Sequence, residues 1–183
     1  MKNFRKKTFV VALLLGSLMH QSCELFISQV CKDEELTIKR EDNNSGKIRL
    51  DGYYYDTYFY SKDSNFVSLL LLFRNGISQD RDLNKRKNVE IGNIELDNSE
   101  LRKNFKNTWG VYKIEGDNIE IQAWTPSTTC SDVSIAKGKI LSDTTIKIND
   151  VKLSNGKQIS TGEAIFKFRP YSPKPDSVVS FIK

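Results

Sequence analysis

Histidine is almost missing from this sequence: the one histidine among 183 residues, His20, lies within the first 22. Cysteine is scarce as well, with three residues and no closely spaced pair of the kind that binds zinc. The sequence also contains no G-x-S-x-G motif and no phosphate-binding glycine loop. These absences exclude Ser-His-Asp and Cys-His catalysis and His-ligated metal sites from any chain that loses its first 22 residues.

Acidic residues are plentiful, with 23 Asp and Glu, so a carboxylate pair for glycoside hydrolysis stays open as an alternative. No spacing in the sequence shows such a pair, and solvated strand faces explain the acidic residues more simply. We therefore predict a protein that is not an enzyme, with no catalytic residue, no cofactor and no bound metal.

Long apolar runs are also missing, because a chain with 38% hydrophobic residues and a mean hydropathy of -0.47 cannot cross a membrane several times. One shorter run, Thr8 to Met19, follows Lys2, Arg5, Lys6 and Lys7. A basic stretch followed by an apolar run too short to span a bilayer is typical of a signal peptide. We predict a signal peptide over residues 1–22, the alternative being an uncleaved helix packed on the domain.

The sequence at the end of this segment resembles a bacterial lipoprotein precursor. Ser22 and Cys23, with Leu18 nearby, match the lipobox, in which the cysteine is acylated and becomes the new N-terminus. The resemblance implies a lipid anchor, such as palmitate, on Cys23 and a place in the bacterial envelope, on the outer membrane, facing the periplasm or the surface. Simple secretion is one alternative. Acylation of Cys31, which a lysine and three acidic residues follow, is another.

Removing residues 1–22 also removes most of the positive charge. The whole chain has 28 Lys and Arg against 23 Asp and Glu, and the segment takes four basic residues with it, which leaves 24 against 23. A nearly neutral mature chain has no electrostatic reason to bind nucleic acid. The basic stretch Arg81 to Lys87 is interpreted as a solvated loop, with contact to acidic headgroups or a polyanion as the alternative.

Three cysteines in an exported chain leave one unpaired unless one has another role. With Cys23 acylated, we predict a disulfide between Cys31 and Cys130, since exported proteins reach oxidising compartments. Two separate free thiols remain the alternative.

The composition divides the remaining chain into a flexible tether (23–47), a β-domain (48–169) and a tail (170–183). Residues 32–47 carry only Leu36 and Ile38 as large apolar groups, which predicts a solvated tether.

From Ile48 onward, short runs rich in β-branched and aromatic residues alternate with turn residues. They predict eight antiparallel strands, at 48–60, 66–74, 89–96, 109–114, 118–124, 133–141, 144–150 and 162–168. A short helix is predicted over 98–107, from the capping pattern of Asp97 and Glu100 and the pair Leu101 and Phe105. The stretch from 78 to 88 is interpreted as a charged loop.

Eight strands with short turns favour an antiparallel meander closed into a barrel or half-barrel, because closure removes exposed sheet edges. Three segments, DGYYY (51–55), WGVYKIEGDNIEIQAW (109–124) and the hairpin around 138–148, resemble lipocalin-like lipoprotein domains. This resemblance implies a barrel that encloses a small apolar ligand near Tyr54, Tyr58 and Trp124. The alternatives are that these aromatics only fill the core, and that the protein is a structural or interaction lipoprotein whose surface docks an envelope protein or glycan.

Overall fold

The computed structural model describes residues 32–61, 64–84, 105–126, 130–160 and 162–183. The chain divides into two compact units. The larger one, Glu34–Ser127 with Ser131–Lys183, holds all the described strands. The smaller one, Met1–Asp33 with Thr128–Cys130, is described only at Lys32, Asp33 and Cys130.

The described residues form nine β-strands. They are β1 (Gly52–Ser61), β2 (Ser64–Leu72), β3 (Ile77–Asn84), β4 (Trp109–Glu115), β5 (Asn118–Pro126), β6 (Ser131–Ser142), β7 (Thr145–Leu153), β8 (Gln158–Ser160) and β9 (Ala164–Pro170). Strands β1 to β6 pair in sequence order, β9 joins β1 to β7, and pairing of β6 with β7 closes an eight-stranded barrel. Strand β8 is an extra strand beside β7. The predicted all-β fold, its antiparallel order and its closure are confirmed.

Alternating strand direction gives the barrel two distinct ends. The last residues of β1, β3 and β5 lie at one end, which we call the β5–β6 end. The turns from β2 to β3, β4 to β5 and β6 to β7 lie at the other, the β4–β5 end. Tight turns there follow from the sequence: Gly76, for example, has a φ of 76°, a left-handed conformation that glycine adopts without strain.

Period-2 alternation sends apolar side chains to both faces of the barrel wall. The interior cluster contains Ile48, Tyr54, Leu70, Leu72, Tyr112, Ile119, Ile121, Ile146 and Ile148. A second cluster covers the outer face of β1 to β6 and contains Tyr53, Val67, Leu69, Leu71, Phe73, Ile77, Trp109, Val111, Trp124, Val133 and Ile182. The first strand is covered on both faces, because Tyr53 and Tyr54 point to opposite sides and are 2% and 1% exposed.

Two segments without regular secondary structure cover the outer cluster. Residues 34–47, which we call the N-terminal strap, contribute Leu36 and Ile38, and the C-terminal tail (171–183) contributes Tyr171 and Phe181. Most residues of the strap are exposed, but hydrogen bonds and two apolar side chains attach it to the barrel wall. Its few apolar groups suffice because the side-chain oxygen of Gln122, itself buried on β5, accepts hydrogen bonds from the strap amides of Thr37 (2.8 Å) and Ile38 (3.2 Å).

Several sequence predictions need correction or lie outside the described residues. The stretch from 78 to 84, predicted as loop, is the body of β3, and β8 was not predicted. The predicted strand at 89–96 and most of the predicted helix at 98–107 lie outside the described residues. Of the latter segment, residues 105–107 are described and are not helical, and no helix occurs anywhere in the described residues.

Candidate functional site

A row of small side chains crosses the inner wall of the barrel. Ser78 on β3 pairs with Gly110 on β4, Gly110 with Ala123 on β5, and Ala123 with Ser134 on β6. Their neighbours two residues away on β4, β5 and β6 belong to the interior cluster or pack against it, so the row faces inward. Small side chains on four adjacent strands leave room that larger neighbouring side chains or a ligand fill. We call these four residues the small-residue row.

Steric contact explains the glycine in this row. A Cβ added to Gly110 would lie 1.9 Å from the carbonyl oxygen of Gln122 and 2.7 Å from the Cα of Ala123. Real Cβ atoms do not approach backbone so closely, so β4 and β5 can pair here only if position 110 is glycine.

Ser78 carries the polar feature of the row. The residue is 1% exposed, and its hydroxyl oxygen has no hydrogen-bond partner within the described residues. The hydroxyl of Ser134, in the same row, instead donates to the carbonyl oxygen of Ala123 at 3.1 Å. A buried hydroxyl without a partner costs about 1–3 kcal/mol, which makes Ser78 the anomalous group of the interior.

Two tyrosines fill the interior towards the β4–β5 end. The Tyr54 hydroxyl lies 2.8 Å from the carbonyl oxygen of Asp143 and accepts a hydrogen bond from the Arg49 amide. The Tyr112 hydroxyl donates to the carbonyl oxygen of Phe73 at 2.7 Å. Burial raises the pKa of Tyr54 well above its ordinary value and that of Tyr112 to about 12, so both are neutral phenols at physiological pH. These rings form a packed floor below the small-residue row.

The three residues predicted to bind ligand do not form one site. Tyr54 belongs to the interior floor, whereas Trp124 belongs to the outer cluster, and its indole nitrogen donates to the Glu34 carbonyl oxygen at 2.9 Å. The side chain of Tyr58 lies outside the described part of the chain. Trp124 thus holds the N-terminal strap, and a ligand role for Tyr54 and Tyr58 stays a prediction.

No family model, curated protein or solved structure matches this chain. Within the described ranges, no group of three or more His, Cys, Asp or Glu residues is arranged to hold a metal ion. None of the described residues builds a helix long and apolar enough to cross a bilayer.

Ser78 was missed because residues 77–84 present no continuous apolar face, and the stretch was therefore interpreted as a charged loop. Asn75 and Gly76 are a hairpin-turn signal. A hairpin turn requires a second strand immediately after it, so this signal alone is sufficient to place Ser78 on β3.

Cys23 and Cys31 lie outside the described residues, and Cys130 is half-buried just before β6. Acylation and the disulfide therefore stay predictions.

A half-buried lysine fastens the C-terminal tail to the barrel. The Lys174 ammonium donates to the carbonyl oxygens of Leu50 and Leu72, each at 2.6 Å, and lies 4.7 Å from the centre of the Phe73 ring. It lines a cavity of about 440 Å³ together with Leu50, Asp51, Phe73 and Arg74. Burial lowers the pKa of Lys174 to about 8, with the Asp51 carboxylate opposing that shift.

This lowered pKa predicts that the domain becomes more stable as the pH rises above 8. Between pH 8 and the ordinary lysine value of 10.5, the unfolded chain binds a proton that the folded chain does not, so raising the pH favours folding. Buried Tyr54 and Tyr112 act oppositely above about pH 10, which sets the useful window. We expect a gain of about 1 kcal/mol between pH 8 and 9.5 in urea unfolding experiments. The gain should vanish in Lys174→Met, and identical pH profiles for the two proteins would refute the assignment.

Proposed function

We propose that this protein is a lipid-anchored lipoprotein of the bacterial envelope, without catalytic activity, whose lipocalin-like barrel binds a small amphiphile. The ligand is mainly apolar and carries one hydrogen-bonding group. The lipocalin likeness belongs to this proposal, and so does the short helix predicted over 98–107, for its part before Phe105. The observation that carries the ligand role is the buried hydroxyl of Ser78, which has no partner within the described residues, in a row of small interior side chains.

The free energies favour a ligand with one polar group. Leaving a hydroxyl buried and unpaired costs about 1–3 kcal/mol, and a ligand that pairs with it recovers part of this cost. The rest of the row offers a glycine, an alanine and a serine whose hydroxyl is already bonded to the Ala123 carbonyl. Those neighbours suit an apolar chain, which gains about 25 cal/mol for each Å² removed from water.

Replacing Ser78 by alanine should separate stability from binding. In the ligand-free domain, Ser78→Ala removes the unpaired hydroxyl and should raise the free energy of unfolding by about 1 kcal/mol. The same change should weaken binding of a fluorescent fatty acid roughly three- to tenfold, because it removes the partner of the ligand's polar group. Urea unfolding and fluorescence titration measure the two effects.

Ser134→Ala is the matched control, since it lies in the same row and loses the same atom. Its hydroxyl already donates to a backbone carbonyl, so this variant should be less stable, with little change in affinity. If Ser78→Ala is destabilising and binds the probe as tightly as wild type, the proposed site is wrong.

Acylation of Cys23 is the other half of the proposal. Labelled palmitate should enter the protein when it is expressed in a bacterial host, and Cys23→Ala should abolish incorporation. Loss in Cys31→Ala with normal labelling of Cys23→Ala would assign the anchor to Cys31 instead.

A disulfide between Cys31 and Cys130 also remains part of the proposal. The Glu34 amide donates to the Ser131 carbonyl oxygen at 3.1 Å, so the chain three residues after Cys31 meets the chain one residue after Cys130. This contact supports the pairing, because cystine Cα atoms must lie within about 7 Å. Non-reducing peptide mapping tests it.

A groove on the outer wall favours the second candidate, docking of a glycan or another envelope component. It has a volume of about 280 Å³ and is lined by Lys113, Glu115, Asn118, Ile119, Glu120, Lys137 and Gly138. Ion pairs join Lys113 to Glu115 (2.8 Å) and Lys137 to Glu120 (3.4 Å), so its charges largely cancel. Such a polar lining suits a neutral glycan better than an apolar ligand. A glycan that binds wild type and Ser78→Ala equally would favour this function.

A further inference from the structure

The N-terminal strap runs along the barrel from one end to the other. Glu34 lies at the β5–β6 end, where its amide donates to the Ser131 carbonyl and its carboxylate accepts from the Val133 amide at 2.8 Å. Further along, the Asn43 amide donates to the Arg74 carbonyl at 2.7 Å, beside the β2–β3 turn at the opposite end. Nine residues separate these points, so the strap spans at most about 30 Å.

The attachment at Glu34 is the strongest along the strap. Besides the two backbone contacts, its carboxylate accepts a hydrogen bond from the Ser154 hydroxyl, and its carbonyl oxygen accepts from the Trp124 indole. The hydrogen bonds from Ser154 and Val133 hold the pKa of Glu34 below its ordinary value, so the carboxylate is charged at neutral pH. The chain is therefore fixed to the barrel at Glu34, at the β5–β6 end.

We infer that the β5–β6 end of the barrel faces the membrane and that the ligand is a lipid-derived amphiphile taken from that membrane. The inference rests on the proposed anchor but holds for either cysteine, because Cys23 lies 11 residues and Cys31 three residues before Glu34. A tether of 11 residues, of the kind that the sequence predicts, has a root-mean-square length of about 18 Å. The β4–β5 end lies about 20–25 Å farther from the anchored cysteine, which is the distance between the two barrel ends.

Three residues of the small-residue row lie towards the same end, and the fourth, Ser78, is the second residue of β3, next to the β2–β3 turn at the opposite end. Gly110 is the second residue of β4, Ala123 lies three residues before the end of β5, and Ser134 lies three residues after the start of β6. Tyr112 lies two residues beyond Gly110 towards the β4–β5 end, and the Tyr54 hydroxyl contacts the Asp143 carbonyl at that end. A ligand from the membrane side therefore meets Gly110, Ala123 and Ser134 first, and its polar group reaches Ser78 at the far end of the row.

The orientation is tested by energy transfer on vesicles. A donor dye is placed by a noncanonical amino acid at Lys157, in the turn after β7 at the β5–β6 end, or at Glu115 at the opposite end; both are exposed. The mature protein is tethered through an N-terminal histidine tag to phosphatidylcholine vesicles that contain nickel-chelating lipid and a lipid acceptor dye. Transfer from position 157 should exceed that from position 115 by roughly twofold, since barrel ends lie about 20–25 Å apart. Moving the tag into the turn between Gly116 and Asp117 should reverse the order.

Equal transfer from the two positions, or stronger transfer from 115, in the N-terminally tethered protein would overturn the inference. The artificial tether makes this outcome independent of native acylation, and the dye readout requires no ligand. A failure of the Ser78→Ala experiment would therefore reject the ligand proposal without changing the orientation result. Uptake of a fluorescent fatty acid from the same vesicles completes the test, because the N-terminal tether should give faster uptake than the tether at the Gly116–Asp117 turn. Equal uptake would reject the membrane as the source.

Discussion

Replacing Gly110 by alanine should unfold the barrel or destabilise it by about 3 kcal/mol or more. The added Cβ would lie 1.9 Å from the Gln122 carbonyl oxygen, and a backbone atom in a paired strand cannot move aside as a flexible side chain can. Relief would require β4 and β5 to separate where Gly110 pairs with Ala123. Urea unfolding followed by circular dichroism measures the loss.

Gly162→Ala is the matched control. A Cβ at this position would meet only the Ser160 hydroxyl, at 3.7 Å, which is an ordinary van der Waals contact. We expect its free energy of unfolding to stay within about 0.5 kcal/mol of wild type. If Gly110→Ala were as stable as this control, the close pairing of β4 with β5 would be incorrect.

Replacing Trp124 by alanine should cost about 3–5 kcal/mol, the range for truncating a buried aromatic side chain. The indole packs edge-on against Phe181 of the C-terminal tail at 5.9 Å and bonds the Glu34 carbonyl of the N-terminal strap. One substitution therefore loosens both covering segments. Limited proteolysis should cut the strap and the tail earlier in this variant than in wild type.

The conservative variant separates the two contributions of Trp124. Trp124→Phe keeps a ring against Phe181 but loses the hydrogen bond, so it should cost about 1 kcal/mol. A double-mutant cycle of Trp124→Ala with Phe181→Ala should show a coupling of about 0.5–1.5 kcal/mol. Unchanged stability of Trp124→Ala combined with lost ligand binding would restore the ligand role that the sequence suggested.

The barrel itself was predictable from local patterns. Short β-branched runs separated by turns such as Asn75-Gly76 indicate antiparallel strands, and closure follows from the need to cover apolar edges. The exception is β3, where Ser78, Asp80 and other polar residues hide the strand from any search for an apolar face. Only the turn before it indicates this strand, because β3 pairs with β2 directly across that turn.

The candidate site was harder to predict, because the period-2 alternation of side chains along a strand does not show which of its two faces points into the barrel. Tyr54 and Trp124 both belong to aromatic strands, yet they lie on opposite sides of the wall. The outer face is as apolar as the inner one only because the strap and the tail cover it. The strap is held over the outer face by long-range hydrogen bonds, such as those that its amides donate to the Gln122 side chain. No local pattern in residues 32–47 reveals these bonds.

Native mass spectrometry of the mature protein, released from its membrane in mild detergent, tests the central claim most directly. The account predicts a population that carries one bound amphiphile, depleted in Ser78→Ala and retained in Ser134→Ala. Wild-type protein that carries no bound mass, under conditions that keep a reference lipid-binding barrel loaded, would contradict the claim that this barrel binds a ligand.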